Sequence, residues 1–290
     1  MELGQVGAFV FMDAMSAQAS IAFCRRIEKM GYKVVWSPEA WGREPFAHGS
    51  YLLANTDRLI YATGIANICV RDPVTMAASA KTLAEFAPNR FILGIGVSHR
   101  SLVADWRGHN YTKPFSYLSE YIAKMKDALY KAVAPEIEPP LVLAALHPKS
   151  LGLAARETHG THTYLCLPDH TKSARALMGP EAWVCPSLIV ILERDAAKAR
   201  ARAREHLSFY ASQENYQRIL RAQGFADTDF ENGGSDRLID TMVAWGSEEQ
   251  IQDKIDAQLA AGASHVCLMP LRCDDNSLPD ERALEAFAPR

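Results

Sequence analysis

Short apolar runs recur along the chain and alternate with longer segments whose apolar positions fall three and four residues apart. Runs at 6–11, 34–36, 59–65, 91–96, 141–145, 161–167, 187–192 and 265–269 have the length and continuous apolar character of buried parallel strands. Between them, helical spacing predicts helices over 16–30, 45–55, 72–86, 114–131, onward from 148, 169–178 and 195–210. Two more, over 236–244 and 248–261, precede the last strand. Ser16 suits an N-cap and Gly31 a helix stop, while Asp72 is followed by Pro73 at a first helical position. Eight strands separated by crossover helices predict a parallel sheet, and the count favours closure into a (β/α)8 TIM barrel. No composition break, repeat or low-complexity tract divides residues 1–290, so one domain is expected. Two insertions interrupt the alternation. One, at 98–113, follows strand 4; the other, at 212–234, follows helix 7 and contains Asn232-Gly233-Gly234, a flexible-loop signal.

Composition removes several function classes. With 290 residues, 48% hydrophobic and 22% charged, the chain can bury a full core and is neither disordered nor fibrous. A net charge of -3 supplies no basic field for nucleic acid. No apolar stretch approaches the ~20 residues that span a membrane, and the first residues lack a secretory profile, so a cytoplasmic protein is expected. Six cysteines are scattered without a C-x-x-C pair, which fits buried free thiols better than disulfides or zinc ligands.

Candidate chemistry gathers where strands end. The run Arg-Phe-Ile-Leu-Gly-Ile-Gly-Val-Ser-His-Arg at 90–100 is a buried strand that stops at two glycines and then presents polar side chains. It is not a dinucleotide loop: His99 stands where the third glycine of G-x-G-x-x-G belongs, and no βαβ unit opens the chain there. Gly96 offers clearance for a flat ligand, Ser98 a hydroxyl, and His99 a ring that ordinarily titrates near neutrality. Loops after strands lie on the active face of a barrel. The first insertion, carrying Trp106, Arg107, His109, Tyr111 and Lys113, is therefore expected on the substrate side, as is His147. His159 and His162, three apart on an extended run, point to opposite faces, which argues against a shared metal; no metal site is expected. Lys198, Arg200, Arg202 and Arg204 read as a solvated helix face.

Several segments together resemble the bacterial luciferase-like monooxygenase superfamily, in its branch that uses the deazaflavin coenzyme F420. They are the stretch at 85–99, ending in Gly94-Ile95-Gly96-Val97-Ser98-His99; the third strand at 58–67 with Asp72-Pro73 after it; the helix pair at 241–249; and the entry to strand 8 at 261–268. The resemblance covers essentially the whole chain. It implies a flat tricyclic coenzyme across the barrel mouth, held and shielded by the protein. It further implies a non-proline cis peptide at Gly64-Ile65, with Ala66 beside it, against the back of the ring. Trp41 is then a shelf for coenzyme or substrate. Thr163 and Tyr164, in the loop after strand 6, are the candidates for the phosphate-bearing tail, since Asp169 at the following helix start would repel a phosphate.

Strand 2 departs from that pattern. Glu39 keeps the acid usual in F420-dependent dehydrogenases, but Ala40 stands where a histidine handles protons, so His99 and Glu39 become the catalytic candidates. The expected function is hydride transfer between F420 and a small organic substrate. An FMN-dependent monooxygenase is the alternative, and a coenzyme-binding protein with little turnover is the third reading, motivated by Ala40. The resemblance also suggests a homodimer through outer helices, which the apolar faces of helices 2 and 3 permit.

Overall fold

The computed structural model describes residues 1–275 and 277–289. Among them, eight parallel strands close on themselves: Val6–Phe9, Val34–Ser37, Ile60–Thr63, Phe91–Gly96, Leu141–Ala144, Gly160–Tyr164, Trp183–Ile191 and Val266–Pro270. Closure is made by the last strand, which pairs with the first through Val6 opposite Val266 and with the seventh through Cys267 opposite Ser187. Two short pieces, Ala66–Asn67 and Ala244–Trp245, extend the sheet beside the fourth and seventh strands. The expected (β/α)8 barrel is thus the observed architecture, with helices as its outer ring.

Alternation along each strand sorts side chains into two apolar layers. Phe9, Trp36, Ala62, Ile92, Val142, Cys185, Ile189 and Cys267 pack together in one layer. Their immediate neighbours, including Ala8, Val35, Tyr61, Leu93, Leu143 and Leu188, pack with the outer helices in the other. Gly94 and Gly96 serve this packing. A Cβ at Gly94 would collide with the Thr63 carbonyl, and one at Gly96 would come 2.9 Å from the Ile65 side chain and 3.0 Å from Ala144.

Element ends differ from the sequence reading by a few residues, each for a local reason. The sixth strand stops at Tyr164 rather than 167 because Leu165 adopts φ 54° and turns the chain. Helix 4 ends at Lys126, five residues early. The second insertion, for which the sequence reading named only a flexible-loop signal at 232–234, holds a helix at Glu214–Ala222 whose Tyr216, Ile219 and Leu220 are buried. The first holds a π-helical turn at Ser101–Asp105.

Capping fixes where helix 3, Pro73–Phe86, begins. Asp72 accepts hydrogen bonds from the Val74 and Thr75 amides at 2.9 and 3.0 Å. Asp72→Ala removes both acceptors and is expected to cost about 1 kcal/mol, lowering Tm by roughly 2–4 °C in a thermal melt. An unchanged Tm would mean that water satisfies those amides equally well.

Candidate active site

At the carboxyl ends of the strands lies a cavity of about 180 Å³. Strand 1 and the loops after strands 2 and 3 supply Phe9, Phe11, Glu39, Ala40, Trp41, Gly64 and Ile65. Strand 4 and its loop add Ser98, His99 and Leu102; strand 6 adds His162 and Tyr164. Phe209, Tyr210, Asn215 and Tyr216, from the end of helix 7 and the second insertion, close the remaining side. The Gly64-Ile65 peptide is cis, and Ser98 adopts φ 58°. A second cavity, of about 400 Å³, shares Phe9, Phe11, Trp41, Phe209, Tyr210 and Met269 with the first and adds Arg202, Glu205 and His206.

The walls are polarisable and nearly devoid of free charge. Glu39 receives both Nη atoms of Arg71 at 2.7 Å and the Asn67 amide at 2.8 Å, so its carboxylate is committed to an ion pair. Burial pushes His99 down to about 4, which leaves its ring neutral at pH 7 and corrects the expectation of a group titrating near neutrality. Among the described residues, its buried Nδ1 has no hydrogen-bond partner. Its ring meets those of Phe209, Tyr210 and Tyr216 at 5.5, 6.3 and 5.4 Å. His162 packs on Phe9 at 5.4 Å and Trp36 at 4.8 Å, bonds Ser187 through Nε2, and is pushed down to about 3 by burial.

The structure brings Glu39, Trp41, Gly64, Ile65, Ser98, His99 and Tyr164 together around the first cavity. It does not bring Ala66, Gly96 or Thr163 to its wall. Ala66 is buried in the outer apolar layer, and Gly96 makes room for Ile65. Thr163 is fully buried with its hydroxyl unpartnered among the described residues, between the inward His162 and Tyr164. Adjacent strand residues face opposite ways, so Thr163 and Tyr164 do not share the cavity. Trp41 is 56% exposed and meets Phe209 edge-to-face at 5.4 Å, so it is a rim residue rather than core.

The first insertion braces neighbouring loops. Tyr111 donates to the Ser98 carbonyl at 3.0 Å, His109 lies 2.9 Å from the Cys69 carbonyl, and Arg107 reaches the Ala40 carbonyl at 3.3 Å. Sequence reasoning missed His162 and the cluster Phe209, Tyr210 and Tyr216. The strand parity shared by His162 and Tyr164, and the aromatic density at 209–216, were the available signals.

A flat, uncharged ring system with an anionic tail fits these residues. The cavity offers aromatic and aliphatic walls, and buried imidazole nitrogens without partners among the described residues lie on His99, His147 and His170. His147 is held low by burial and by nearby Arg218, the permanent positive charge in this neighbourhood, and His170 belongs to the first turn of the helix Pro168–Met178. That helix has no side-chain cap at Leu167. Among the described residues, no three His, Cys, Asp or Glu side chains gather as a metal site requires. No helix there is long and apolar enough to cross a membrane.

A closed barrel with such a cavity at its carboxyl face has the architecture in which TIM-barrel enzymes carry their active sites. Residues 4–265 match the luciferase-like monooxygenase family, and the chain belongs to it. A Mycobacterium tuberculosis protein, provisionally named a coenzyme F420-dependent oxidoreductase, is 27% identical over 191 residues. That match covers 55% of this chain, and the chain spans about half, 54%, of the relative's length. An F420-dependent secondary alcohol dehydrogenase, solved with an F420-acetone adduct, superposes with TM-score 0.77 at 17% identity, covering 99% of this chain and 98% of that one. The oxygenating constituent of 3,6-diketocamphane monooxygenase from Pseudomonas putida, solved with FMN, gives TM-score 0.71 at 13% identity over 98% and 97%.

Proposed function

We propose that this protein is an oxidoreductase that uses the deazaflavin F420 and transfers hydride between it and a small, uncharged organic substrate. The carrying observation is the cavity itself, whose walls are aromatic, aliphatic or neutral imidazole and whose Glu39 is already paired with Arg71. Such a site favours a flat apolar ring and gives a charged substrate no free counter-charge. The name of the mycobacterial relative supports F420 in particular.

When bound, the coenzyme supplies the hydride chemistry. The protein's part is to position and to shield. Ile65, Ser98, Phe209, Tyr210 and Tyr216 would hold the ring and exclude water from it, and Arg218, near His147, would supply the positive charge for the anionic tail. The FMN-bound neighbour supports a second reading, an FMN-dependent monooxygenase. Ala40 in the cavity wall is the observation behind a third, binding with little turnover. The exposed Val74 and Phe86 on helix 3 support assembly as a homodimer through helices 2 and 3.

Titration of the purified apoprotein with F420 and with FMN, followed by coenzyme fluorescence, tests the proposal. F420 is expected to bind at micromolar concentration or below and more tightly than FMN. FMN binding alone, with oxygen consumed on reduction, would transfer the assignment to the monooxygenase reading. Binding of neither coenzyme would overturn all three readings.

A further inference from the structure

Tyr164 lines the first cavity but not the second, and His206 lines the second but not the first. Their hydroxyl and Nε2 lie 2.6 Å apart. One short hydrogen bond therefore crosses the partition between the two chambers. Tyr164 also reaches toward the Tyr210 hydroxyl and lies 3.9 Å from the Met269 sulfur. On the far side, Arg202 and Glu205 flank His206, paired with each other at 3.3 Å. His99 shares the first cavity but is ringed by Phe209, Tyr210 and Tyr216, and its side-chain hydrogen bond goes to Asn215 in the wall of the same cavity.

We propose that Tyr164 is the proton donor of the reaction and that His206 re-protonates it from water in the second cavity. This rests on the reading that the first cavity holds the hydride acceptor. For an activated alkene beside a carbonyl, the β-carbon gains a hydride, with its electron pair, from the reduced coenzyme, and the alkene π pair moves to form an enolate. The α-carbon then takes the Tyr164 proton as that O–H bond breaks. The phenolate takes the proton from His206 Nε2, and Nδ1 takes one from water. The alkene is reduced, the coenzyme is oxidised, and one proton is drawn from solvent.

The surroundings suit this role. Burial and the neighbouring Tyr210 and Tyr216 hold Tyr164 protonated, which makes it an acid for a strongly basic anion and not a resting base. Burial and nearby Arg202 push His206 down to about 3, so it works by exchanging tautomers and not as an imidazolium. The relay requires His206 to rest as the Nε2–H tautomer, donating to the Tyr164 oxygen so that the phenol proton is free for the substrate.

Nitrogen-15 NMR of the histidine-labelled apoprotein at pH 7 reads that tautomer directly, with His206 assigned by its loss in His206→Gln. The Nε2–H form is expected, with its nitrogen shift moving in Tyr164→Phe. An Nδ1–H form, or no response to Tyr164→Phe, overturns the relay. With F420 saturating, reduction of 2-cyclohexen-1-one is expected to slow at least tenfold in Tyr164→Phe and fivefold in His206→Gln, with the solvent isotope effect altered in both. Equal rates in all three proteins overturn the proposal, as does absence of turnover in the coenzyme-loaded wild type. Failure of either coenzyme to bind is seen earlier, in the titration, and counts against the functional reading instead; the tautomer measurement then decides the relay alone.

Discussion

Acidification from pH 7 toward pH 4.5 is expected to unfold the protein cooperatively, with uptake of about four protons. Burial pushes His99 and His265 down to about 4, and His162 and His206 down to about 3, whereas each regains its ordinary value near 6.5 on unfolding. Above pH 6.5 these rings are neutral in both states, and their contribution to stability is fully present. As pH falls below 6.5 the unfolded chain takes up protons that the folded one refuses. Stability is therefore lost with falling pH, through the window from 6.5 to about 4. At pH 5 the loss is about 2 kcal/mol for each ring, so roughly 8 kcal/mol together. That is comparable to the whole stability of an ordinary domain. His48, also pushed down to about 4, acts in the same direction.

The geometry of His265 shows why protonation is resisted. Its Nδ1 lies 2.7 Å from the Gly4 carbonyl, which has no proton to give, so Nδ1 must donate. Its Nε2 is then the acceptor for the Trp36 indole N–H at 3.1 Å. A proton at Nε2 would set donor against donor inside the barrel. Circular dichroism against pH, combined with proton uptake by potentiometry, checks the prediction. His265→Gln should lower the uptake by one. A protein that remains folded to pH 4, or unfolds with uptake of no more than one proton above it, would show that these rings are solvated rather than buried.

The same four histidines mark how far the sequence could be read. Strands 2, 4 and 5 were legible almost to the residue because continuous apolar runs between turn signals have few other uses, and eight of them with crossover helices leave few topologies. Which atoms meet inside the closed barrel was not legible. Gly96 is small because Ile65, some thirty residues earlier, occupies the space beside it, and no local pattern announces that. His162 becomes part of the cavity floor because Phe9 and Trp36, from two other strands, pack on its ring. The closing wall was hidden for a different reason. The second insertion was read only for its loop signal at 232–234, whereas Glu214–Ala222 forms a helix because Tyr216, Ile219 and Leu220 find apolar partners, and so Tyr216 reaches the cavity. Only Tyr164 of its adjacent pair faces inward, a parity that became readable once the strand's register was fixed.

Replacement of Arg71 by methionine is expected to lower Tm by roughly 10 °C, because it strands a buried carboxylate. The Arg71 and Glu39 side chains are 11% and 8% exposed. Glu39 accepts from both Nη atoms and from Asn67, while Arg71 also reaches Glu44 at 2.6 Å and stacks on Phe46 at 5.1 Å. Glu44 in turn caps the helix Pro45–Leu53 through the Ala47 amide. Removing one partner of such a pair costs about 3–5 kcal/mol, chiefly because the other charge is left without compensation. The loss should spread to the site, since Asn67 follows directly on the segment that carries Gly64 and Ile65 against the cavity. F420 affinity is therefore expected to fall along with Tm. In Glu39→Gln the remaining Glu44 still neutralises Arg71, so the penalty should be smaller, and the double variant should lose less than the two single changes added together. Additive losses, or a Tm within 2 °C of wild type for Arg71→Met, would show that water already solvates Glu39 and would return its carboxylate to the catalytic candidates. A coupled loss assigns Glu39 instead to holding the loops after strands 2 and 3 in place, which leaves proton transfer to the opposite side of the cavity.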